Sequence, residues 1–211
     1  MANDDASSAR GGLLPVGFPF GNFRKNYYRL TTSAAAAVYI GQPMDMDTNG
    51  QAVNASISTS NTLILGPVIG FARDSRGKMG LPDGMLSVTA GPYLPANTDA
   101  YVCIADDPNQ LFVMQEANSA TQLTTASVGA NSHFIYARST SGSTTTGYSY
   151  AEINPGLSGA VSGTAGALTI VALADNMNSD GSYNSLGAYA KWQVRISNHR
   201  LGGQALAHTN V

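Results

Sequence analysis

Several stretches of the sequence hold side chains whose types and spacing could do chemistry. Asp45-Met46-Asp47-Thr48-Asn49-Gly50 fits the opening half of a calcium loop, which needs about six or seven oxygen ligands and a bidentate Glu at the twelfth position. That position is Ser56, and the flanks read as strands. A hairpin turn in which Asn-Gly takes positive φ accounts for the same residues. Asn176-Met177-Asn178-Ser179-Asp180-Gly181 repeats the spacing, again without the closing Glu. Ser158, in Gly156-Leu157-Ser158-Gly159-Ala160, falls one residue short of a nucleophile elbow. An activated serine needs a histidine and an orienting carboxylate, and nothing ties His133, His199 or His208 to it. Paired carboxylates for glycoside hydrolysis could come from Asp106, Asp107, Glu116 or Glu152. Asp106-Asp107-Pro108-Asn109 is equally an ordinary turn sequence.

Cys103 is the single cysteine, set in the apolar run Tyr101-Val102-Cys103-Ile104. It reads as a small buried thiol, and it leaves neither an intramolecular disulfide nor a cysteine-built zinc cluster. The glycine-rich stretch from Gly156 to Gly166 lacks the Gly-Lys-Ser/Thr ending of a phosphate loop and reads as a crossing between strands. No metal and no cofactor is expected.

Charge narrows the partners. Lys plus Arg number 11 against 13 Asp plus Glu, a net charge of -2. Charged residues make up 11% of the chain, against roughly 25% in an ordinary soluble domain. Arg24-Lys25 beside Phe23, Tyr27 and Tyr28 is the best basic and aromatic cluster, and it is too small for serious backbone affinity. No nucleic-acid partner is expected, and no apolar run is long enough to predict a membrane span. Met1-Ala2-Asn3-Asp4-Asp5 is acidic and polar, unlike an export signal, so synthesis in the cytoplasm is expected and the Asn54-Ala55-Ser56 sequon carries little weight. Ala, Gly, Ser, Thr and Asn replace the missing charge, a surface with weak colloidal repulsion that suits a protein packed against neighbours.

The elements that would position these residues read as strands. Tyr27–Leu30, Ala37–Ile40, Ala52–Ile57, Ile64–Ala72, Met85–Thr89, Tyr101–Ala105, Leu111–Gln115, His133–Ala137, Tyr148–Ile153, Leu168–Leu173 and Ala190–Ile196 are short, apolar or alternating, and bounded by turn residues. Only Ser119–Val128 invites a short helix. The fold class is all-β: a small β-barrel or jelly-roll-like sandwich of many short antiparallel strands with an extended N-terminal arm. Residues 1–26 are the arm and 27–211 a single domain, with a division into two lobes near 118–132 as the alternative. Pro and Gly keep the arm extended, while Leu14, Phe18, Phe20 and Phe23 are too apolar to leave in water. With Arg24 and Lys25 they form the candidate interface, docked either on this chain's own sheet or on a neighbouring subunit. Arg138–Gly147 and Asp175–Tyr183 are long polar loops, where contacts commonly sit.

The order of these segments resembles a known family. Gly41-Gln42-Pro43-Met44-Asp45 is followed by Leu65-Gly66-Pro67-Val68-Ile69-Gly70. The run Val102–Asp107 then continues through Pro108-Asn109-Gln110-Leu111-Phe112-Val113-Met114-Gln115-Glu116. The chain closes with Ala190-Lys191-Trp192-Gln193-Val194-Arg195-Ile196-Ser197-Asn198-His199. Together they resemble the capsid decoration (cement) proteins of tailed bacteriophages, over most of residues 37–200 and outside the arm. The resemblance implies a non-enzymatic virion protein on the outer face of an icosahedral head. Its partners would be the major capsid protein and itself, as a homo-oligomer with the trimer favoured over the dimer. It would tie neighbouring capsid subunits together and stabilise the expanded shell. Two other classes remain open: a receptor- or glycan-binding module of a virion fibre, marked by a shallow aromatic platform, and a β-sandwich hydrolase. The hydrolase would show a cleft holding Glu116 or Glu152 near a second acid, with a strongly shifted titration.

Overall fold

The short segments are apolar or partly alternating, so they bury their apolar side chains only by pairing and packing. The computed structural model describes residues 11–18, 23–30, 36–56, 62–72, 92–136, 141–155, 166–176, 178 and 181–202. In chain order the strands are β1 (Leu14–Pro15), β2 (Asn26–Leu30), β3 (Pro43–Met46), β4 (Ala52–Asn54), β5 (Gly66–Ala72), β6 (Ala100–Ile104), β7 (Leu111–Gln115), β8 (Asn131–Tyr136), β9 (Ala151–Asn154), β10 (Leu168–Leu173) and β11 (Lys191–Ile196). They form two antiparallel sheets, ordered β1-β7-β11-β10-β8-β9 and β2-β6-β5-β3-β4, one of them curled into a half-barrel. The protein is all-β, a barrel or sandwich. The chain passes from the five-stranded sheet to the six-stranded one between Ile104 and Leu111.

Register follows the apolar pattern. On β11, Trp192, Val194 and Ile196 are buried while Lys191, Gln193 and Arg195 are more open. Trp192 lies opposite Met114 of β7 and Val194 opposite Phe112, so both strands turn their large side chains into one core. A one-residue slip would expose the whole row, at about 1.5–3 kcal/mol per large side chain. Strand β5 has no such alternation. Only Ile69 along it is less than buried, at the point where its register against β6 shifts. A second core gathers Leu30, Val38, Met44, Leu65, Val68, Phe71, Leu94, Val102 and Ile104.

Some segments differ from expectation. Ala37–Ile40 makes only isolated bridges, Val38 to Leu94 and Ile40 to Tyr148, rather than a strand. The helical signal in Ser119–Val128 reduces to one 3-10 turn, Thr125–Ser127. Met85–Thr89 lies outside the described residues. The Asp45–Gly50 motif is the β3–β4 turn, where Asp47 accepts the backbone N–H groups of Asn49 and Gln51, each at 2.8 Å. Arg200 grips Asp45 with two hydrogen bonds, 2.8 and 2.6 Å, so that carboxylate is already neutralised. Among the described residues no helix is long and apolar enough to cross a membrane.

The described part of the arm is built into the domain. Leu14 pairs with Val113 and Pro15 with Phe112, placing β1 on the edge of the six-stranded sheet beside β7. Adjacent side chains serve different cores: Leu13 is fully buried in the first, and Leu14 packs on the second. Gly11 and Gly12 let this segment pass close to other backbone. A Cβ on Gly11 would lie 2.2 Å from the Ser149 carbonyl, and one on Gly12 2.6 Å from that of Gly41. Gly12 also takes φ +92°, which glycine adopts at least cost.

Candidate functional site

Of the residues expected to form an interface, Arg24 reaches a buried carboxylate, Asp106. Phe18 packs on the second core and Phe23 on the first, their rings 6.4 Å apart. Phe20 lies outside the described residues. Lys25 is exposed. Beyond them the chain alternates, and Arg24, Asn26 and Tyr28 all reach Asp106, just past the end of β6. The Arg24 Nε sits 3.4 Å from Asp106 Oδ1. Asn26 Nδ2 donates to Oδ2 at 2.7 Å, and the Tyr28 hydroxyl donates to the same oxygen at 2.5 Å. Asp106 is fully buried, whereas Arg24 is half-exposed. Burial, then the carboxylate accepting its proton, holds the Tyr28 phenol far above its ordinary range, so it remains a donor. A buried carboxylate is tolerated only when donors surround it, and here they come from the segment leaving the arm.

His199 borders the same carboxylate. Its Nδ1 accepts the Leu201 backbone N–H at 3.0 Å, which puts the ring proton on Nε2. Burial pushes its pKa down, with the charges of Asp106 and Asp107 opposing. Asp107 closes the neighbouring turn by accepting the Asn109 N–H at 2.9 Å. This joint thus connects the arm, the end of β6 and the segment after β11.

The residues considered for hydrolysis are placed differently. Glu116 follows β7, is fully buried, and accepts the Leu123 N–H at 3.0 Å. Burial raises its pKa to about 7, with that N–H pulling the other way. Glu152, on β9, is also buried, and the Gln115 amide reaches it at 3.5 Å. The titration of Glu116 is shifted as a general acid's would be, yet neither carboxyl faces solvent. His133 is buried on β8 opposite Asn154, and burial lowers its pKa. Ser158 and His208 lie outside the described residues, as does Gly156–Gly166 apart from Gly166 itself. Cys103 is buried on β6. Among the described residues no group of three or more His, Cys, Asp or Glu is placed to hold a metal ion.

Sequence reasoning placed Arg24 and Lys25 in a candidate interface and took Asp106 as either a hydrolytic acid or a turn residue. The signal it passed over is the spacing of Arg24, Asn26 and Tyr28, whose period of two sets three donors on one face of an extended segment. The partner acid lies about eighty positions away in sequence, and only the β2–β6 register, with Asn26 opposite Ile104, brings it into reach. Compared with known proteins, the chain matches no family model and finds no curated relative.

Proposed function

We propose that this chain is a non-enzymatic virion structural protein, a capsid decoration protein that binds the outside of an icosahedral phage head. The observation behind the reading is the use the fold makes of its acids. Asp106, Glu116 and Glu152 are all buried, and the first two are bonded to the chain's own segments rather than presented in a cleft. What is left outside, among the described residues, is a β surface with few exposed charges. That surface suits dense packing on a lattice better than turnover of a soluble substrate.

In this role the protein acts by mass action. It stabilises only the expanded shell, because only that state presents the complete site on the major capsid protein subunits it bridges. Each copy needs to contribute only a few kcal/mol when many act in parallel. A homo-oligomer, trimer before dimer, supplies the multivalency. The glycan-binding reading draws on one feature, the Tyr39–Tyr93 pair stacked at 5.3 Å. Tyr39 is only 5% exposed, however, which makes the stack a poor open platform for a sugar.

The test is the mass of the purified protein in solution, alone and with expanded shells that lack it. A defined oligomer that co-sediments at saturable stoichiometry and raises shell melting supports the proposal. A protein that ignores shells but binds cells or glycans overturns it in favour of the fibre module.

A further inference from the structure

Tyr39 and Tyr93 lie far apart in sequence and are brought together by a short antiparallel crossing. Val38 and Leu94 face each other there and exchange both backbone hydrogen bonds, each at 2.9 Å. The next pair along, Tyr39 and Tyr93, falls at a non-hydrogen-bonded position, where facing side chains stand closest. Their rings stack with centroids 5.3 Å apart and planes 17° from parallel. Neither ring belongs to the two apolar cores. Tyr39 is held firmly all the same. Its backbone N–H donates to the Gln42 side-chain oxygen at 3.0 Å, and its carbonyl accepts the Gln42 N–H at 3.1 Å. Gly142 backs the ring so closely that a Cβ there would lie 2.3 Å from Tyr39 Cγ. Tyr93 is the partly exposed member of the pair.

Two phenols held ring against ring are the reactants of one oxidative coupling. A one-electron oxidant takes an electron from a phenol, the hydroxyl proton leaves, and the unpaired spin spreads to the ring carbons flanking the C–O carbon. When both rings have reacted, a C–C bond forms between one such carbon of each, and the hydrogen on each of those carbons moves to its oxygen. Both phenols are restored, and the pair has lost two hydrogen atoms in all. Hydrogen peroxide acting through a haem peroxidase takes up the two electrons and two protons and leaves as two waters. The side chains that would compete for the oxidant are withdrawn from it: Cys103 and Trp192 are both buried. Tyr93 reaches solvent and Tyr39 lies directly behind it.

We infer that Tyr39 and Tyr93 form a dityrosine cross-link site, coupled by a one-electron oxidant of the peroxidase type. The inference stands apart from the capsid-decoration reading, and neither depends on the other. A pair already in place reacts as one molecule, so coupling inside the chain outruns coupling between chains. The bond would lock the Val38–Leu94 crossing and restrain the unfolded chain as a disulfide does.

The test treats the purified full chain with a haem peroxidase and hydrogen peroxide, then reads intact mass, gel migration and tryptic peptides. The expected product is a monomer lighter by two hydrogen atoms, with dityrosine fluorescence and with peptide 30–73 bonded to peptide 79–138. The first peptide holds Tyr39 alone, and the second holds Tyr93, Tyr101 and Tyr136, so fragmentation assigns the bond. Yield per molecule should hold on about 10-fold dilution. Tyr39→Phe and Tyr93→Phe keep the stacked ring and should each lose the product. Tyr93 is partly exposed, so its variant serves even where Tyr39→Phe is poorly folded. The rival route runs through Tyr183, which is 72% exposed and would give dimers whose yield falls on dilution. Dimers alone, a bond that survives Tyr93→Phe, or tyrosine oxidation without an internal bond each overturns the inference.

Discussion

Glu116 offers the sharpest quantitative test of the interior. Its carboxyl is fully enclosed, and burial lifts its pKa from 4.5 to about 7. In the unfolded chain the same group ionises near its ordinary value. Below that value both states are protonated and the residue contributes no pH dependence. Between the two values the unfolded chain gives up its proton while the fold retains it, so stability falls as pH rises. Above about 7 the cost is fully developed. Each unit of pKa is worth about 1.4 kcal/mol, which makes the penalty about 3 kcal/mol. Glu116→Gln removes the ionisation and keeps an oxygen able to accept the Leu123 N–H. The assay is urea denaturation of both proteins at pH 4.5, 6 and 8, with free energies compared at each pH. Whatever the amide changes in packing is common to all three points and cancels between them. The variant should gain about 3 kcal/mol relative to wild type between pH 4.5 and pH 8. A difference that stays flat across this range would refute the reasoning, because the ionised carboxylate would then have to be hydrated by opening of the segment up to Leu123.

Asp106 and His199 give two further tests at the joint. Asp106→Ala strips the acceptor from Tyr28 and Asn26 and should cost about 3 kcal/mol in urea denaturation; if the alanine variant does not fold, Asp106→Asn measured the same way should still lose more than about 1 kcal/mol, and a loss near zero in either would show that the donors are satisfied elsewhere. His199 has its pKa lowered by burial, so its contribution is complete above the unfolded value of 6.5 and is lost as pH falls below it; His199→Asn, which can still accept the Leu201 N–H, should flatten the acid limb of the stability profile, and an unchanged limb would refute the assignment.

How much of this was legible depended on how local the cause is. The strands Leu111–Gln115 and Leu168–Leu173 were read with their observed limits, because an apolar run between turn residues is decided within its own few positions. The β3–β4 turn was equally local, since Asp47 and Gly50 satisfy it themselves. Ala37–Ile40 looks the same in sequence but bridges Leu94 and Tyr148, so its fate was set by distant partners. The arm shows the limit most clearly. Its phenylalanines announced that they must be covered, and composition could not say by what. Leu13 and Leu14 answer through opposite faces of one extended step, one in each core. The joint at Asp106 needed still more, because an acid in a turn sequence is exposed by default and becomes a buried acceptor only after β2 and β6 align.

That contrast bears on function as well as on folding. A charge-poor sequence leaves few ionisable groups, so where those few are placed says much about what the molecule is for. This fold places acids under donors that join segments far apart in sequence: Asp106 to the stretch leaving the arm, and Asp45 to Arg200 after the last strand. Both unions close the molecule on itself. Among the described residues the exposed groups include the Arg29–Asp99 pair and Tyr183 on the loop pinned by Asn184. The decoration role proposed above would rest on contacts that are weak singly and multiplied by many parallel copies on an assembled shell.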